Sequence, residues 1–192
     1  MEAYFSLTYF GPLEYYRELA NTQHAFWVVN DRYSKQTLRN RCRIYGANGK
    51  IQLSIPVVRT HGKNTLLKDA LISYEEPWQN IHWRSIKSAY GRTPYFEHFE
   101  HKIEPVFNQN HKFLIDFLLQ ANLTITDIFK IPSPVLYSDS VGSDFQKALD
   151  SKSETDAYAS IETYYQVFED RHGFIPNLSV LDWLFHCGNK LY

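Results

Sequence analysis

Two kinds of hydrophobic pattern alternate near the start of the chain, and this restricts the fold more than any other feature. Residues Ala3–Phe10 are rich in Tyr, Phe, Leu and Thr and predict a strand. Gly11-Pro12 ends it, and apolar residues from Leu13 onward recur at helical spacing. Ala25–Val29 is a continuous apolar run, typical of a strand covered on both faces. Strand, helix and buried strand together predict a parallel βαβ unit.

A strongly basic stretch follows the second predicted strand directly. Between Asp31 and Arg43 it holds five basic side chains against one acid, although the 192-residue chain has a net charge of −1. Ligands of βαβ units gather at the carboxyl ends of the strands. Two interpretations stay open: a solvated face, or a site for an anion such as phosphate. On a helix, Lys35, Arg39 and Arg43 would share one face.

The candidate phosphate-binding residues lie within this stretch. Lys35, Arg39 and Arg41 would neutralise phosphate charge, and Asn40 would add a neutral amide. Asp31 has two interpretations as well. It is a general base, a ribose ligand or a metal ligand, or it caps the segment that follows.

Three further candidates lie in a predicted helix that starts at Pro77. His82 is either a general acid or base, because imidazole titrates near neutrality, or a hydrogen-bonded structural histidine. Trp78 and Tyr90 are candidates for stacking on a sugar or a base, but their helical spacing also fits packing in the core.

The remaining pattern predicts an α/β fold with a Rossmann-like βαβ N-terminal portion, a β-hairpin and a mainly helical C-terminal half. Asn48-Gly49 between apolar runs predicts the hairpin. We expect one domain over 1–192, with an α/β portion at 1–75 and a mainly helical portion at 76–192. The other expected elements are a strand at Leu66–Ser73, helices starting at Pro77 and Thr93, a helix at Asn108–Ala121, a strand or turn at Thr124–Ile131, a loop near 133–156, and a last helix capped by Ser179.

Several classes of function are disfavoured. Near-neutral charge argues against nucleic acid as a partner, and no apolar run is long enough for a membrane span. His98 and His101 have no third ligand at a telling spacing, so no metal site is predicted. Phosphate-loop, dinucleotide and nucleophile-elbow motifs are absent, and no cofactor can be named. Two cysteines and no signal peptide suit the cytoplasm. The oligomeric state stays open between a monomer and a homodimer.

Four stretches together resemble one protein family, the WbqC-like family, over nearly the full length of the chain. They are Tyr9–Tyr16, Ser34–Ile44 with Leu53–Val57, Trp78–Phe96, and Gly173–Gly188. The Lys-x-x-x-Arg-Asn-Arg run and the Asn-Leu-Ser-x-Leu-Asp-x-Leu-Phe ending are specific in combination. At the start, Leu7–Pro12 departs from the Gln-Pro-x-Tyr and Pro-Trp that many members show.

The resemblance implies a bacterial protein, and many members of the family are encoded among surface-polysaccharide (O-antigen) biosynthesis genes. We therefore expect a transferase that acts on a phosphate-bearing donor, either nucleotide-activated or carrier-linked, with Asp31 or His82 as the general base. The alternative is a non-catalytic binding or assembly protein in the same pathway. The substrate and the reaction are outside what the sequence can identify.

Overall fold

A computed structural model describes residues 2–139 and 163–191 of the chain. Its strands are β1 Glu2–Ser6, β2 His24–Val28, β3 Arg41–Gly46, β4 Gly49–Ser54, β5 Val57–Val58, β6 Leu71–Ile72 and β7 Val135–Tyr137. Its helices are α1 Leu13–Ala20, α2 Trp78–Tyr90, α3 Phe96–Phe107, α4 Leu114–Phe129, α5 Glu169–His172 and α6 Val180–Cys187.

The predicted βαβ unit is confirmed. β1 and β2 pair in parallel with α1 between them in the chain, and β7 joins the other side of β2, also in parallel. The sheet order is therefore β1–β2–β7. Together with the helices of the C-terminal half, this sheet confirms the predicted α/β class.

The predicted hairpin is also confirmed, and its arms are β3 and β4. The two strands pair from Arg41 opposite Ser54 to Gly46 opposite Gly49. Gly49 has a φ of 100°, which side chains rarely adopt, so a glycine is required where the chain enters the second arm.

Three element predictions need correction. Thr124–Ile131 is not a strand: α4 continues to Phe129, because Ile125 and Ile128 extend its buried face at helical spacing. Lys130, with a φ of 58°, then ends the helix. The strand predicted at Leu66–Ser73 is reduced to β6, after a 3₁₀ turn at Leu67–Asp69.

The loop predicted near 133–156 begins with a strand instead, because β7 lies within it. The part of that loop beyond residue 139 lies outside the described residues. In the described ranges, no helix combines the length and the apolar character that crossing a bilayer requires.

Aromatic rings form much of the core where the helices meet. Trp83 on α2 stacks on Phe96 and Phe107 of α3, with ring centroids 6.1 and 5.8 Å apart. Phe185 on α6 packs 4.9 Å from Phe96 and 5.3 Å from Tyr90. Such ring pairs add to the free energy gained from burial alone.

Asn122 connects α4 to the N-terminal portion from a fully buried position. Its amide nitrogen donates to the carbonyl oxygens of Thr8 and Leu118, each at 2.7 Å. Its amide oxygen accepts from the hydroxyls of Thr8 and Tyr16 at 3.3 and 3.1 Å. One side chain on α4 therefore satisfies buried polar groups of Thr8 and Tyr16, which are 114 and 106 residues away in sequence.

Replacing Asn122 with Ala should lower the free energy of unfolding by about 3 kcal/mol, because buried groups of Thr8 and Tyr16 lose their partner. Chemical denaturation monitored by circular dichroism measures this. Leu123→Ala, at an exposed position beside it, is the control and should change stability by less than about 1 kcal/mol. Equal losses in the two variants would contradict the role given to Asn122.

Candidate functional site

A buried ion pair between Asp31 and Arg39 lies at the carboxyl edge of the parallel sheet, the edge where β1 ends at Ser6 and β2 ends at Val28. Arg39 donates to Oδ2 of Asp31 from Nε at 3.1 Å and also from Nη2, and both side chains are 0% exposed. Ser6 Oγ accepts from Arg39 Nη2 at 3.1 Å and lies 3.5 Å from Asp31 Oδ2. The ion pair therefore joins the end of β1 to the stretch after β2.

Helix α1 contacts this cluster through Tyr15. The Tyr15 hydroxyl donates to the carbonyl oxygen of Ser6 at 2.9 Å and accepts from Nε1 of Trp27 at 3.1 Å. The Tyr15 ring also packs edge-on against Phe5 of β1. The crossover helix of the βαβ unit thus fixes the backbone position of Ser6.

The basic stretch is not helical before β3. The backbone N–H groups of Asn40 and Arg41 both donate to the carbonyl oxygen of Thr37, at 3.1 and 3.0 Å, and Gln36 has a φ of 63°. Lys35, Arg39 and Arg43 therefore do not share a helical face. The element that follows Asp31 in the chain is the strand β3, and the Asp31 carboxylate pairs with Arg39.

A second segment holds the start of the basic stretch in place. Tyr33 N donates to the carbonyl oxygen of Thr65 at 3.0 Å, and Leu67 N donates to that of Asp31 at 2.9 Å. These bonds bring the chain around Arg59–Leu67 to the carboxyl edge.

Tyr33 lies close to the basic residues at this edge. The Arg59 guanidinium lies over the Tyr33 ring, 5.8 Å from its centroid. Burial raises the pKa of Tyr33 to about 12, while Arg59, Arg39 and Arg41 act in the opposite direction as nearby positive charges. The basic residues therefore converge on one part of this edge.

Sequence reasoning missed Arg59, Tyr33 and Ser6 as members of the cluster. Arg59 falls in a polar segment that follows β5, well outside the basic stretch. Its position directly after an apolar pair was the available signal. That signal is weak, because nothing local shows that the segment returns to the end of β2.

The other predicted phosphate ligands differ in exposure. Lys35 is exposed and Arg41 is half-buried. Asn40 is also half-buried. Its side-chain amide nitrogen donates to the carbonyl oxygen of Ile55 at 3.3 Å, and its backbone carbonyl oxygen accepts from Ile55 N. Asn40 thus fixes the chain that leaves β4.

His82 and Trp78 lie inside the helical half. The Tyr9 hydroxyl and His82 Nδ1 are 2.8 Å apart, and the Trp78 ring packs edge-on against His82 and Phe117. Burial lowers the pKa of His82 to about 4, so the imidazole is neutral at pH 7. Tyr9 links this histidine to the basic stretch, because its backbone N–H donates to the carbonyl oxygen of Leu38.

Tyr90 is fully buried at the end of α2. Its hydroxyl accepts from the backbone N–H of Tyr45 in β3 at 3.0 Å, and its ring contacts Phe185 and His186. Neither Trp78 nor Tyr90 presents a ring face to solvent in this conformation. Their predicted role in substrate binding therefore stays a prediction.

Within residues 2–139 and 163–191, no group of three or more His, Cys, Asp or Glu side chains could hold a metal ion.

Asp31→Leu should lower the free energy of unfolding by about 3–5 kcal/mol, because Arg39 would then be a buried charge without its carboxylate. Adding Arg39→Met to this variant should restore much of the loss, since a buried ion pair and an apolar pair of similar volume often differ little. Urea denaturation of the two variants measures both effects. A double variant that is less stable than Asp31→Leu would contradict the explanation.

His82 makes stability depend on pH. The unfolded imidazole has a pKa near 6.5 and the folded one about 4, so between these values only the unfolded chain binds the proton. The free energy of unfolding should fall by about 3 kcal/mol as pH drops from 7 to 4. In His82→Gln this contribution disappears, while the contributions of the other titrating groups remain. The difference between the two curves therefore isolates His82. Parallel stability–pH curves for the two proteins would show that His82 is not responsible.

Comparison with known proteins identifies a family. No curated protein and no solved structure matches the chain. Residues 8–162, however, match the sequence model of the WbqC-like protein family, which covers most of the chain, including β2, the basic stretch and the hairpin. The resemblance found in the sequence is thereby confirmed: the chain belongs to the WbqC-like protein family.

Proposed function

We propose that this protein is a cytoplasmic enzyme of bacterial surface-polysaccharide biosynthesis, a transferase that binds a phosphate-bearing donor at the carboxyl edge of its parallel sheet. The observation that carries the proposal is the cationic character of this edge: Arg59 lies over the Tyr33 ring, and Arg39 is buried against Asp31 two residues before Arg41. The expected genomic setting of WbqC-like proteins supports the pathway. A nucleotide-activated sugar and a carrier-linked group both present phosphate to such a site.

Arg41 and Arg59 are the best placed of these residues to bind the donor. Both are half-buried, so each keeps part of its side chain accessible while losing some competing water. Guanidinium groups bind phosphate through paired hydrogen bonds of fixed geometry. Exposed Lys35 would add charge at the rim.

Arg39 has a different role, because its guanidinium is fully buried against Asp31 and Ser6. We assign Asp31 and Arg39 to positioning the basic stretch. His82, buried and bonded to Tyr9, would position the same stretch through the contact of Tyr9 with Leu38. In this assignment neither Asp31 nor His82 transfers a proton.

The chemistry that remains is stabilisation of the leaving group. In transfer from a nucleotide-activated sugar, the acceptor oxygen bonds to the sugar as the bond between the sugar and the phosphate breaks, and negative charge grows on the oxygens of the departing phosphate. Cations already held in place lower the energy of that state more than they lower the energy of the bound donor. Arg41 and Arg59, backed by the positive charge of Arg39, would act in this way. For a carrier-linked donor whose transferred group is not attached to phosphate, the same cations would contribute to binding only.

The binding step can be tested by calorimetric titration of UDP-glucose and acetyl-coenzyme A, which represent the two donor classes. We expect at least one to bind the wild type, and Arg41→Gln and Arg59→Gln to weaken it about tenfold each, as loss of a charged hydrogen bond does. Lys130→Gln, which removes an exposed charge at the end of α4, is the control and should bind like the wild type.

Two results would end the proposal: no binding of either compound, or equal binding by the arginine variants.

The alternative, a non-catalytic binding or assembly protein, has one observation in its favour. Val135 and Leu136 on β7 are 63% and 51% exposed. Failure of both donors to bind would favour this alternative.

A further inference from the structure

A separate cleft lies between the hairpin turn, the end of α2 and the segment before α5. Its volume is about 610 Å³, within the range of sites that hold small organic ligands. Its walls are formed by Ala47 of the turn, by Lys87–Ala89 and Gly91–Thr93 at the end of α2, and by Val167-Phe168. None of the residues assigned to the donor site lines it.

Among the described residues that line the cleft, the charged side chains are both cations, Lys87 and Arg92. Lys87 Nζ lies 3.7 Å from Glu100, and both side chains are partly exposed. Exposed pairs of this kind are worth about 0–1 kcal/mol, so Lys87 can exchange Glu100 for another anion at little cost. The cleft therefore favours negative charge.

The helix end itself does not cancel this preference. Carbonyl groups at a helix C-terminus repel anions when they lack partners. Here Gly91 N donates to the carbonyl oxygen of Lys87 at 2.9 Å, and Thr93 donates to that of Tyr90 from both N and Oγ1. Two of the terminal carbonyl groups therefore have donors, and the two full positive charges of Lys87 and Arg92 exceed the partial negative charge of about half a unit that a helix C-terminus carries.

The opposite wall is preformed and apolar. Val167 N donates to Nε2 of His186 at 3.0 Å, and Nδ1 of that imidazole lies 2.7 Å from the carbonyl oxygen of Asp182, so Nδ1 carries the proton. The Tyr45 hydroxyl lies 3.0 Å from the carbonyl oxygen of Phe168 and 2.8 Å from that of Gly173, and the Tyr45 and Phe168 rings pack with centroids 5.7 Å apart. A ligand would meet a wall that is already fixed, which lowers the entropic cost of binding.

We propose that this cleft is a second ligand site, which binds an organic phosphate with a small apolar body. Lys87 and Arg92 would hold the phosphate, and Val167 and Phe168 would contact the apolar part. Glu169, which follows Phe168 in the chain, accepts from Gln166 N at 3.1 Å. The site is independent of the donor site proposed above.

Phenyl phosphate is a suitable probe, followed by ¹⁵N–¹H NMR at the amides of Ala47 and Gly91. We expect saturable shifts there in the wild type, and a loss of affinity of more than tenfold in Lys87→Gln/Arg92→Gln, because two charged contacts disappear. Ala47→Trp, which fills the cleft without changing charge, should also abolish the shifts. Arg41→Gln/Arg59→Gln removes the same charge elsewhere and should leave them unchanged.

Inorganic phosphate and benzyl alcohol test the phosphate and the apolar body of the ligand separately. We expect inorganic phosphate to bind more weakly than phenyl phosphate, and benzyl alcohol to cause no saturable shift. The proposal is overturned if phenyl phosphate leaves both amides unshifted at millimolar concentration, or if folded Lys87→Gln/Arg92→Gln binds it as well as the wild type. Equal affinity for inorganic and phenyl phosphate would overturn the proposed contact of Val167 and Phe168 with the apolar body of the ligand.

Discussion

Burial of Asp31 and Arg39 without access to solvent is a constraint that every neighbouring element must satisfy. Moving either charge out of water costs several kcal/mol, and only close, well-oriented partners return that energy. Ser6 supplies one such partner from the end of β1, and Tyr15 holds Ser6 in place from α1. The position of the basic stretch is thus determined by strand, helix and loop together, so Arg41 and Arg59 reach the same edge in a defined arrangement.

The same principle operates throughout a core rich in tyrosine. Each buried hydroxyl needs a partner, and several are provided by polar side chains that are buried for this purpose. The Tyr164 hydroxyl donates to Asp182 at 2.6 Å, and Gln166 donates to the same oxygen at 3.1 Å. Burial raises the pKa of Asp182 despite these bonds. Polar contacts of this kind fix which segments meet, whereas apolar contacts alone would tolerate sliding.

Local patterns predicted the elements that depend on local physics. The βαβ unit, the hairpin and most helices follow from hydrophobic periodicity and from Gly and Pro positions. The extent of α4 was underestimated, because Thr124 and Thr126 resemble strand residues although their hydroxyls bond to carbonyl oxygens one turn earlier. The position of the basic stretch at the carboxyl edge of the sheet was predicted, because the carboxyl ends of the strands in a βαβ unit lie at the same edge.

Long-range pairing could not be predicted in the same way. Nothing local indicates that Arg39 is the buried partner of Asp31 while Arg41 remains half-buried, although both are arginines two residues apart. The contribution of Arg59 depends on a return of the chain through Thr65 and Leu67. The roles of Trp78 and Tyr90 depend on which helix faces meet, and helical spacing alone fits either outcome.

The order of the sheet has a consequence for how the chain folds. β2 pairs with β1 after one short crossover, but its other edge pairs with β7, which arrives only after the hairpin, α2, α3 and α4. Closing so large a loop costs entropy before its contacts return any energy, which slows folding. During synthesis, β2 therefore leaves the ribosome long before its second neighbour exists, and until then its open edge can pair wrongly with other strands.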